Sequence, residues 1–458
     1  MTFAPSAPLS RRGKDTFLGH PRGLAYIVFT EVWERFSFYG MQALLVLYMS
    51  GYLFQPQHIG AVWGITAYRH AIEAVFGTLS TEAFATQTFG LYAGFVYFTP
   101  IVGGWLGDRW LGRTLAVTLG AAIMVAGHLL MGVESALLVA LLALLIGCGL
   151  LKGNLAAQVG ELYPPDDPRR DRAFSLYYLG VNAGAFVAPL VCGTLGELYG
   201  WHYGFTLAGI GMAIGLCVYL SGRAHLPDDP PKRHGKAARL SPQERGAVLG
   251  IVVVLALVTL FWIAQTQVWN SYPLWLRDRL DRRLFGLEVP ITWFQSLDAL
   301  LVLVMAPVLM RRWRRQGKLG IEPGDLAKVR TGCFVFAGAC LWLVAGELAS
   351  GGARVALFWP VLFHLTCAVG YLYVVPIALA LFARAAPASV NAMMVSAFYL
   401  AIFFGSIISG WLGRFLEVLS PAAFWGLHAG IVGTGGLLLI VLERPLLRLL
   451  RIPSHSAS

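Results

Sequence analysis

A short list of charged side chains falls at membrane depth in this 458-residue sequence: Glu31, Glu34, Arg35, Lys152 and Asp298. A charge placed in lipid costs about 2.5–3.5 kcal/mol on insertion scales, and those that persist face a water-filled cavity or one another. Glu31, Glu34 and Arg35 stand at helical spacing, which sets them on one face. Two carboxylates and one guanidinium leave an excess negative charge that Lys152 can balance. Dry surroundings raise a carboxyl pKa and a nearby cation lowers it. A group held between those effects takes up or releases a proton when its surroundings move. The alternative, a static buried ion network, contributes little to stability, so we read the cluster as functional.

The elements that must carry these residues are legible in composition. Hydrophobic residues make up 57%, charged residues 13%, and mean hydropathy is +0.65. Soluble chains carry about 25% charged residues. Apolar runs near 20 residues match a bilayer core of about 30 Å. About twelve such runs occur, at 24–50, 84–106, 113–133, 136–160, 173–195, 203–222, 247–275, 291–310, 329–349, 355–383, 390–416 and 422–443. The expected class is an all-α membrane protein. The connection 51–82 carries Arg69, His70 and Glu73, and reads as a helical extension or cap rather than a further span.

The net charge of +11 follows topology. With the N-terminus inside, 26 of the 35 Lys and Arg fall in the termini and the loops on the cytoplasmic side, as the positive-inside rule requires. Arg311–Arg315 and Lys232–Arg239 are therefore topology signals, with an anionic lipid surface as a secondary partner and no nucleic acid. Residues 1–20 lack the apolar core of a cleavable signal. All six cysteines lie in apolar spans without metal-like spacing and read as small buried hydrophobes. No metal site and no cofactor is expected. The sequence has no H-E-x-x-H, G-x-S-x-G or Walker loop, which argues against an enzyme.

The longest polar stretch between spans, 223–246, divides the chain into halves at 1–222 and 247–458. Gly103–Arg113, GGWLGDRWLGR, resembles the signature loop of the major facilitator superfamily, a fold of two six-helix bundles. Its glycines permit a tight turn. In that reading Asp108 meets a helix N-terminus, and Arg109 and Arg113 bridge the halves as a cytoplasmic gate.

Glu31 to Gly40, EVWERFSFYG, closely resembles the first-helix motif of the proton-dependent oligopeptide transporter family. GLLKGN around Lys152, FSLYYLGVNAGAF from Phe174, FW at Phe261 and Trp262, and WFQSLD ending at Asp298 continue the likeness in order. The resemblance implies a symporter of di- or tripeptides or peptide-like substrates, with protons as the coupling ion. It implies a proton-coupling cluster of Glu31, Glu34, Arg35 and Lys152. It implies substrate contacts from Arg35, Tyr39, Tyr92, Tyr97, Lys152, Asn182, Gln267, Asp298, Tyr371 and Phe398. A bacterial inner-membrane monomer with cytoplasmic termini follows from the same likeness.

The second half departs from the family pattern. Tyr371 stands where a tenth-helix glutamate is expected, Gln265 and Thr266 precede Gln267 where a seventh-helix glutamate is expected, and Phe398 replaces a tryptophan. Gln42 replaces an arginine and Asp298 an asparagine. Two readings stay open: Asp298 supplies the anion for a substrate amino group, or no amino group is bound and the substrate is a modified peptide, a carboxylate or another anion, with an exporter or facilitator of a non-peptide anion as the runner-up. A receptor that binds without transporting is the alternative of another class.

Overall fold

The computed structural model describes residues 16–164, 166–229, 240–387 and 389–450. The basic run Lys232–Arg239, the basic residues before residue 16 and the middle of the expected linker lie outside the described residues.

The chain is almost wholly helical. The first half contains α1 (Arg22–Tyr48), α2 (Ile65–Phe76), α3 (Thr81–Leu106), α4 (Arg113–Leu130), α5 (Leu137–Glu161), α6 (Arg169–Ala188), α7 (Thr194–Tyr199) and α8 (Trp201–Ser221). The second contains α9 (Pro242–Gln265), α10 (Ser271–Arg279), α11 (Trp293–Lys318), α12 (Asp325–Ser350), α13 (Phe358–Ala385), α14 (Asn391–Leu412), α15 (Pro421–Val441) and α16 (Glu443–Leu450). Among the described residues, 11 helical segments are long and apolar enough to cross a membrane. α1, which carries the three central charges, is not among them. At 27 residues and 1.5 Å per residue it is still roughly 40 Å long, and it packs inside the first bundle against α6 and α8. The chain is a multi-pass membrane protein.

The two halves repeat one packing plan. α1 packs on α6 and α8, α3 on α5, and α4 on α5 and α8; correspondingly α9 packs on α14 and α15, α11 on α13, and α12 on α13 and α15. Two equivalent pairs, α3 with α14 and α6 with α11, join the halves. This is the major facilitator plan expected from the sequence. Close approach at these seams depends on glycine. A Cβ on Gly90 of α3 would lie 2.5 Å from the Ser406 carbonyl oxygen of α14.

Local chemistry sets several helix ends. Ser241 and Glu244 form a reciprocal capping box with Pro242 at the first helical position. α9 therefore starts inside the segment expected to be linker. The span expected at 247–275 is interrupted: after Gln265 the chain tightens into a 3₁₀ turn, Thr266–Trp269, and restarts as α10. The connection 51–82 folds as expected, with α2 only 12 residues long and Ile65 its one buried residue. One expectation is corrected. Five cysteines are buried, but Cys217 on α8 is exposed, since that face of α8 turns away from the bundle.

Candidate functional site

A cavity of about 1030 Å³ lies between the halves, lined by Tyr39, Gln42, Asn182, Gln265, Asp298 and Tyr371 among others. A smaller lobe of about 290 Å³ is lined by Glu31, Arg35, Lys152, Tyr177, Ser396 and Tyr399 among others. Tyr39, Tyr97, Tyr178 and Val181 line both, so the two lobes adjoin.

The small lobe holds the charges. Helical spacing on α1 lets Arg35 Nε reach Glu31 Oε1 at 3.0 Å, and Arg35 also pairs with Glu34. Glu34 is fully buried behind this pair. α6 presses closely on this part of α1 because position 184 is glycine: a Cβ there would lie 2.6 Å from the Val32 carbonyl oxygen and 2.7 Å from Arg35 Cβ. Lys152, on α5, was expected to balance the carboxylates directly. Among the described residues it has no ion-pair partner, and its Nζ has no hydrogen-bond partner. It lies instead 4.4 Å from the Tyr97 ring centroid and 5.2 Å from that of Phe38. Arg35 Nη2 is also without a hydrogen-bond partner.

The larger lobe is aromatic and amide-rich. Trp262 and Tyr371 meet edge to face, centroids 6.2 Å apart, and Tyr39 and Trp269 lie 5.2 Å apart. Asn182 Nδ2 donates to the Tyr178 carbonyl oxygen at 2.8 Å and lines the same wall. Asp298 is the one carboxylate that the second half contributes to the described lining of the two lobes.

Three expected site residues lie elsewhere. Gln267 is fully buried inside the second bundle, its Nε2 at 2.9 Å from His428 Nε2 and donating to the Ser409 carbonyl oxygen at 3.1 Å. The 3₁₀ turn rotates it away, leaving Gln265 and Thr266 in the wall. Phe398 is buried against Phe382, centroids 5.7 Å apart, and its neighbour Tyr399 faces the small lobe. Tyr92, five residues before Tyr97 on α3, is buried and lines neither lobe. Trp262, Trp269, Tyr178 and Tyr399 were not anticipated as lining residues; an aromatic in a span gives no sign of which way it faces.

Among the described residues, the lining of the chamber runs out to the helix ends on one side. Asp171 and Phe174 at the start of α6 and Ala380 and Ala383 at the end of α13 line its mouth, on the side where the chain passes from α8 to α9. The other end is closed by contacts between the halves. Asn270 Nδ2 donates to the Thr86 carbonyl oxygen at 3.1 Å, and Arg277 pairs with Glu82 at 2.5 Å. Glu197 accepts from the backbone N–H groups of Ile291 and Thr292 at 2.9 and 2.8 Å.

The signature loop behaves differently from the expectation. Arg113 pairs with Asp108 at 3.0 Å and with Glu161, all within the first half, and Arg109 lies over Trp105. The helix N-terminus is capped instead by Asp229, whose Oδ1 accepts from the N–H of Arg113 at 2.8 Å and of Thr114 at 3.0 Å. Among the described residues, neither arginine bridges the halves.

Comparison with known proteins agrees with this architecture. The chain is 29% identical over 474 residues to the peptide transporter YePEPT of Yersinia enterocolitica, covering 88% of this chain and 89% of that protein. It is 28% identical over 507 residues to a di-/tripeptide transporter of Lactococcus lactis, covering 95% and 98%. Among solved structures, a peptide transporter POT in complex with sulfate superposes with a TM-score of 0.83 at 29% identity over 95% of this chain and 96% of that one. A POT family transporter in complex with 5-aminolevulinic acid gives 0.81 at 25% identity over 94% and 98%. A family model described as the POT family matches residues 114–241 and 234–425. That match spans more than half of the sequence, and the chain belongs to the POT family of membrane transporters.

Proposed function

We propose that this protein is a proton-coupled carrier of small peptides or peptide-like zwitterions, working by alternating access in a bacterial inner membrane. The observation that carries the reading is the pair of unsatisfied cationic donors, Lys152 Nζ and Arg35 Nη2, beside a cavity with one carboxylate on its other wall. A substrate carboxylate suits the fork of Arg35 and the point charge of Lys152. Its ammonium suits Asp298, which lines the same lobe as Trp262 and Tyr371. Relatives named as peptide transporters support the substrate class.

Glu31 and Glu34 compete with the substrate carboxylate for Arg35. Protonating either carboxylate releases the guanidinium to the substrate, so proton and substrate load together. The halves, 1–222 and 247–458 joined through 223–246, then rock about the site. In this reading the open end faces the cytoplasm, both termini lie there, and the monomer is the working unit.

A thermal-shift screen of purified protein tests the substrate assignment with three ligand arms: free dipeptides, amino-blocked dipeptides and organic acids. Free dipeptides should stabilise the wild type most, and Asp298→Asn should remove that preference. Equal stabilisation by blocked peptides, unchanged in Asp298→Asn, would turn the reading towards a simple anion carrier.

A further inference from the structure

At the closed end, α10 and α11 are joined by a short β-hairpin. Strand β1 (Arg283–Leu284) pairs antiparallel with β2 (Leu287–Glu288), with Leu284 opposite Leu287. The turn between them is Phe285–Gly286, with φ of +51° and +82°. Two positive φ values define the tight turn that suits a hairpin, and Asn, Asp or Gly normally fill its first position. Phe285 holds a conformation that a side chain disfavours, at a site where turns are normally polar. Backbone strain of this kind is a pointer to function. The tip is also bare of protein: Leu284 is 47% exposed, Phe285 98% and Leu287 75%.

The base is fixed while the tip projects. Val289 N–H donates to the Arg282 carbonyl oxygen at 2.9 Å, and Arg282 Nη1 donates to the Val289 carbonyl oxygen at 3.1 Å. Arg282 also pairs with Glu288 and, at 4.0 Å, with Glu197 of α7. Asp281 N–H donates to the Val355 carbonyl oxygen at 2.9 Å. The Glu197 contact sets the hairpin beside exposed Leu198 and Tyr199 at the end of one span and exposed Trp293 at the start of another. Exposed aromatic side chains at span ends form the belt that meets the bilayer interface.

We infer that the Leu284–Phe285–Leu287 tip is a membrane anchor that inserts into the interfacial region of the leaflet at the closed end. The tip continues the lipid-facing belt of α7 and α11, and exposed Arg283 beside it suits a lipid phosphate. Fixed to the α6–α11 seam, the anchor holds that seam at membrane level.

The test is site-directed spin labelling in proteoliposomes of phosphatidylethanolamine and phosphatidylglycerol. Single labels go at Phe285→Cys and Leu287→Cys on a Cys217→Ala background, which leaves only buried cysteines. A label at exposed Ala353 on the neighbouring loop serves as the aqueous reference. Insertion predicts that positions 285 and 287 collide more with oxygen than with a water-soluble nickel chelate, with chelate accessibility at least severalfold below that at 353. Chelate accessibility equal to that at 353 would overturn the inference. So would exclusion of both reagents, which would mean that protein covers the tip.

Discussion

Lys152 Nζ lies 4.4 Å from the centre of the Tyr97 ring and has no hydrogen-bond partner among the described residues, while Arg35 on α1 is bound to two carboxylates. The two cations of the site are thus in different states: one is neutralised, the other is waiting.

That difference predicts opposite outcomes for their removal. Lys152→Met strands no carboxylate, so its melting temperature should equal or exceed that of the wild type. Substrate affinity should still fall, because a charge-assisted hydrogen bond contributes about 1.5–3 kcal/mol, roughly ten- to a hundredfold. Thermal unfolding and binding measured on one preparation check both.

Arg35→Met leaves Glu31 and Glu34 buried without their cation. Breaking a buried pair costs about 3–5 kcal/mol. The variant should melt well below the wild type and recover in part when Glu31→Gln and Glu34→Gln are added. A triple variant no more stable than Arg35→Met alone would contradict this arrangement.

The clasp at the closed end is weaker. Arg277 reaches Glu82 at 2.5 Å and Ser50 Oγ at 3.4 Å, but the pair is partly exposed, and such pairs contribute about 0.2–1 kcal/mol. Glu82→Gln should therefore raise opening at this end by up to about fivefold. The rate of alkylation of a Gln87→Cys reporter, buried in the seam in this conformation, measures that change.

His20 supplies a pH dependence outside the membrane spans. Its ring bonds Tyr163 Oη at 2.8 Å. Burial, then Arg169 and Arg172, hold its pKa below the ordinary 6.5, with Asp167 acting the other way. The unfolded chain therefore binds more protons, so this contribution is present in full above pH 6.5 and is lost as pH falls through the depressed value. In His20→Asn the drop in melting temperature between about pH 7 and pH 5 should be smaller than in the wild type.

Much of this was legible in the sequence because lipid imposes strong rules. Unbroken apolar runs marked the spans, and charges inside them marked Glu31, Glu34, Arg35, Lys152 and Asp298, every one of them in or beside the chamber. What failed depended on which way a side chain points. Gln267 sits in a 3₁₀ turn that no residue pattern announced, and of the neighbours Phe398 and Tyr399 only Tyr399 lines a lobe. Lys152 was assigned carboxylate partners because charge counting ignores distance; the structure sets it on an aromatic ring. The capping of α4 by Asp229 was invisible because it joins residues more than a hundred positions apart.

The central claim is that Glu31 and Glu34 couple protons to substrate through Arg35. Uptake into liposomes under an inward proton gradient tests it most directly, comparing wild type with Glu34→Gln for a dipeptide that the ligand screen identifies. The wild type should concentrate the peptide, and Glu34→Gln should lose accumulation while keeping counterflow exchange. Normal uphill accumulation by Glu34→Gln, or wild-type uptake indifferent to the gradient, would contradict the account.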